Sequence, residues 1–103
     1  MRTRRLTDSA ATLLRRDARA AARDGRPGND LAFLLLDVAA TGMSFARIQE
    51  GASDEEIVEE AMRVITSRIC APAPEAAAFM RASMTASLSE ARGVEPSWSI
   101  FGI

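Results

Sequence analysis

The run Leu31 to Ala40, LAFLLLDVAA, constrains this chain more than any other stretch. As a helix it spans about 15 Å and already contains Asp37, so it is too short and too interrupted to cross a bilayer. It is also apolar almost all round, through Leu31, Phe33, Leu34, Leu35, Leu36 and Val38. Such a helix needs either other helices on every side or a second subunit on one of them. It is therefore the expected central helix, and a homodimer is one of its two outcomes.

The flanking sequence breaks into further helices at Gly and Pro. Asp8 or Ser9 is placed to cap a first helix running through Arg23, with Gly25 as its stop and Pro27 just beyond. Its face Ala11, Leu14, Ala18 and Ala21 has helical spacing. PGND then supplies a turn and a cap, and Gly42 is expected to end the central helix. Ser44 can cap a short helix, FARIQE, closed by Gly51. Ser53 to Glu56 reads as a capping box opening a helix over 54–69, whose apolar face is Ile57, Val58, Ala61, Met62, Val64, Ile65 and Ile69. After APAP, Pro74 suits the first position of a last helix, expected to bury Ala77, Met80, Met84, Leu88 and Ala91 and to stop at Gly93. The rest, VEPSWSIFGI, is read as an irregular apolar tail. These elements predict an all-α fold: a compact four- to five-helix bundle with an apolar central helix and a non-helical tail over 94–103, in one domain spanning 1–103.

Composition narrows the chemistry. The chain has 103 residues, enough for one domain with a modest core, and contains no His, no Tyr and no Lys. Histidine-assisted nucleophiles, histidine metal ligands, Schiff bases and the phosphate-loop lysine are thereby closed off. Cys70 is the single cysteine, which excludes an internal disulfide and a multi-cysteine metal cage. We therefore expect no catalytic activity, no cofactor and no metal. The N-terminal stretch is basic but lacks an unbroken apolar segment before a cleavage site, so a cytoplasmic protein is expected.

Charge is unevenly spread. Residues 1–26 hold eight Arg against three Asp, and the remainder five Arg against eleven acids, which together give the net charge of −1. Arg15, Arg19 and Arg23 follow one another at i+4, with Arg16 beside them. Such a stripe either lies along nucleic-acid phosphates or pairs with Glu55, Glu56, Glu59 and Glu60 of the same or a neighbouring chain. No aromatic residue is interleaved to stack on bases. The run from Ser44 to Ile65 resembles a helix-turn-helix in outline, with Gly51 in the turn. Arg47 and Glu50 stand where that motif carries small or apolar residues, and the second helix opens with Asp54, Glu55 and Glu56, which phosphates repel. In the tail, Trp98 and Phe101 can either cover the bundle or anchor in a partner's groove.

The expectation is thus a small non-catalytic binding or regulatory protein acting through a protein–protein interface. Its candidate partner-binding residues are Arg15, Arg16, Arg19, Arg23, Trp98 and Phe101. The alternative is a DNA-associated transcriptional regulator with a degenerate helix-turn-helix and a basic first helix; a membrane partner is not expected.

Overall fold

The computed structural model describes the backbone of residues 2–101 and the side chains of residues 6–93. Among these residues it is all helical, with four helices: α1 (Arg2–Asp24), α2 (Asn29–Phe45), α3 (Asp54–Arg68) and α4 (Pro74–Phe101). The molecule is flat, 44 by 30 by 17 Å. Both α2 and α4 touch the three other helices, while α1 and α3 do not meet among the described residues.

The local reasons follow the sequence most closely at α3 and at the start of α4. Ser53 Oγ accepts from the Glu56 amide at 3.1 Å, and the Glu56 carboxylate accepts from the Ser53 amide at 2.8 Å, closing the capping box. Asp54, Glu55 and Glu56 sit at the positive end of the helix dipole and Arg68 at the negative end. Pro74 opens α4, where its missing amide costs nothing. Between α1 and α2 the chain reverses through Gly25 (φ 72°) and Gly28 (φ 88°), left-handed conformations that glycine alone adopts without strain. Gly28 is the N-cap of α2, and Asn29 Nδ2 donates to Asp24 Oδ2 at 3.2 Å across the turn.

Several boundaries differ from the sequence reading. Helix α1 begins at Arg2, so Asp8 and Ser9 lie inside it, and the Asp8 carbonyl accepts from Thr12 Oγ1. Helix α2 runs through Gly42 to Phe45, because Gly42 is an interior packing position and not a stop. The short helix over FARIQE does not form: Ala46 is already extended, and 46–53 is an irregular connection. Among the described residues there are four helices, and the helix-turn-helix outline loses its first helix. Helix α4 continues past Gly93 to Phe101, so residues 94–101 are helical in place of the irregular tail. A single interior glycine costs a helix only about 1 kcal/mol, and Val94, Trp98 and Phe101 keep a spacing of i, i+4, i+7 that favours continuation.

The core is built from large side chains on every helix, Leu14, Met43, Ile57, Ile65, Met80, Met84 and Leu88, separated by alanines that let the helices approach closely. Ala10, Ala11, Ala18, Ala39, Ala40, Ala61 and Ala91 are fully enclosed. Helix α2 departs from the expected enclosed helix. It buries Leu36, Ala39, Ala40, Gly42 and Met43, but Leu31 and Leu34 remain 59 % and 53 % exposed, and Phe33 is exposed as well.

Candidate interaction surfaces

The outer face of α2 is the largest departure from an ordinary helical surface. Leu31, Leu34, Val38, Thr41 and Phe45 are spaced 3, 4, 3 and 4 residues apart, which places them along one seam. Phe45 is 61 % exposed, more than any other large apolar residue described, and Val38 is half-buried. Thr41 Oγ1 donates to the Asp37 carbonyl at 3.1 Å, so its hydroxyl is satisfied within the helix and the seam stays apolar.

The position of this seam follows from two packing contacts. Gly42 lies so close to α3 that a Cβ there would stand 2.7 Å from Ile65 Cγ1 and 3.0 Å from the Ala61 carbonyl oxygen. Two residues on, Ser44 Oγ accepts from Arg15 Nη2 of α1 at 3.1 Å. Two residues advance a helix by about 200°, so α3 and α1 flank α2 on opposite sides. The seam occupies the arc between them, turned away from the buried Leu36, Ala39 and Met43. Beside it on the α1 side run Asp30 and Asp37, both exposed.

The α1 arginines do not act as one group. Arg15 is half-buried against Ser44. Arg16 reaches α4, where its Nη1 and Nη2 donate to the Glu90 carboxylate at 3.1 and 3.3 Å, and its Nη2 also donates to Asp17 at 2.9 Å. The bonds to Glu90, then Asp17, raise its already high pKa further. Arg19 and Arg23 are exposed and form no hydrogen bond or ion pair among the described residues. The anticipated pairing of this stripe with the α3 acids within the chain is not made. Glu59 pairs with Arg81 of α4 at 2.8 Å, Glu60 with Arg63 at 2.7 Å, and Asp54 with Arg92 at 2.5 Å. The side chains of Trp98 and Phe101 lie outside the described residues.

Two hollows stand out among the described residues. The cleft between the 47–52 segment and α3, about 600 Å³, is lined by Arg47, Arg63 and the carboxylates of Glu55, Glu56, Glu59 and Glu60, and it is open to solvent. A second hollow of about 660 Å³ lies where Thr7 and Asp8 of α1 face Phe45 and the 46–49 segment. Among the described residues no three candidate ligands converge on a metal position, and no helix is long and apolar enough to cross a membrane. Cys70 is exposed just beyond α3.

The sequence reading missed the α2 seam as a surface. The spacing from Leu31 to Phe45 carries the signal, and a helix end expected at Gly42 hides it. No family model, no curated protein and no solved structure matches the chain.

Proposed function

We propose that this is a non-catalytic helical binding protein, regulatory in role, that docks another protein through the outer face of α2. The observation carrying this reading is the seam of exposed Leu31, Leu34 and Phe45 with half-buried Val38 among them. Contiguous large apolar groups are kept in water only at a cost, and on a folded monomer such patches mark interaction sites more often than chance. The absence of His, Tyr and Lys from the sequence favours binding over catalysis.

A photo-crosslinking amino acid placed at position 34 in the cell tests the reading. A discrete protein adduct is expected from position 34 and none from position 82, which is exposed on α4. Equal, diffuse labelling from both positions would contradict it. A second reading, nucleic-acid association through α1, is favoured only by the unpaired Arg19 and Arg23. It requires DNA binding that weakens steeply between about 50 and 200 mM salt.

A further inference from the structure

Resting on the reading of α2 as a docking face, we propose that its occupant is a second copy of this chain, seated with the two α2 helices parallel and in register. A 3-4-3-4 seam is the pattern by which one helix packs against an identical one, and here it covers two heptads. Leu31, Val38 and Phe45 fall at one set of seam positions and Leu34 and Thr41 at the other, so each residue meets its own copy across a two-fold axis parallel to α2.

Charge selects this orientation. Helix α1 carries seven Arg against three Asp, and α3 carries five acids against two Arg, on opposite sides of α2. An axis parallel to α2 lays the basic α1 of one copy over the acidic α3 of the other. Turning the second copy end for end instead lays α1 over α1 and α3 over α3, like charge on like, which costs affinity and slows encounter. The net charge of −1 leaves almost no overall repulsion between copies.

Sedimentation of the purified chain, combined with disulfide trapping in a Cys70→Ser background, tests the proposal. The chain should sediment as a dimer at tens of micromolar. Leu34→Asp should raise the dissociation constant at least about 30-fold, as loss of a central anchor does, with its helical circular dichroism retained because Leu34 lies outside the core. In register, Leu31→Cys and Phe45→Cys should each trap a dimer with their own copy, since seam positions bring Cα atoms within disulfide range. A monomer at every concentration would overturn the second copy as occupant, while leaving the docking reading in place if position 34 still crosslinks to another protein. Loss of that crosslink as well would end both. Trapping only when Leu31→Cys and Phe45→Cys chains are mixed would overturn the parallel arrangement.

Discussion

At the scale of single residues, the surface ion pairs fix helix against helix without adding much stability. Arg81 Nε donates to Glu59 at 2.8 Å and Arg81 Nη2 at 3.2 Å, and both side chains are about half exposed. This hydrogen bonding, more than the bare charge, holds the Glu59 carboxyl below its ordinary pKa and raises that of Arg81. A carboxylate whose folded pKa is depressed contributes its stability above the unfolded value and loses it as pH falls through the folded one. The contribution is therefore full at neutral pH and disappears only in acid, below the usual carboxylate range. Arg81→Ala should return the Glu59 midpoint upward, read from its side-chain carboxyl resonance in an NMR titration. An unmoved midpoint would mean that the pair does not persist in solution.

At the scale of elements, legibility in the sequence tracked how local the determining physics is. The start of α3 was readable because Ser53 and Glu56 bond each other three residues apart, and the start of α4 because Pro74 needs no partner. Gly42 and Gly93 lie inside helices, against the expectation that they end them, because a helical glycine and a terminal glycine look alike in sequence. At Gly42 the distinction lies 23 residues away, in Ile65, which is fully buried against it. Reading α2 as ending near Ala40 also removed Phe45 from the helix and concealed the seam. The missing FARIQE helix has the same origin, since its residues make the connection that a longer α2 requires. Gly42→Ala measures this packing. Alanine gains about 1 kcal/mol of helix propensity, but the added methyl meets the Ala61 carbonyl and the Ile65 side chain, and overpacking of this kind costs about 1–3 kcal/mol. Net destabilisation is expected in urea unfolding. Ile65→Val removes Ile65 Cδ1, which would stand 2.8 Å from the added methyl, and should make the Gly42→Ala penalty smaller than it is in the wild type. A stabilised Gly42→Ala variant would show that α2 and α3 are not so close.

At the scale of the whole molecule, the chain divides its apolar residues between two uses. One set, from Leu14 to Leu88, closes the core between helices kept close by alanine. The other lies along the outer side of α2, between a basic helix and an acidic one, where Leu31, Leu34 and Phe45 stay exposed and Val38 is half-buried. The apolar run that dominates the sequence thus serves both, with Leu36 turned inward and Leu34, two residues earlier, turned outward. On the single chain Leu31, Leu34 and Phe45 of this outer face are exposed to solvent. NMR of methyl-labelled protein with a soluble paramagnetic agent, followed through a dilution series, tests it most directly. Leu36 methyls should stay shielded throughout, whereas Leu34 methyls should become strongly broadened as the protein is diluted. Leu34 methyls as shielded as those of Leu36 at the lowest concentration would place the seam inside the core and contradict the account.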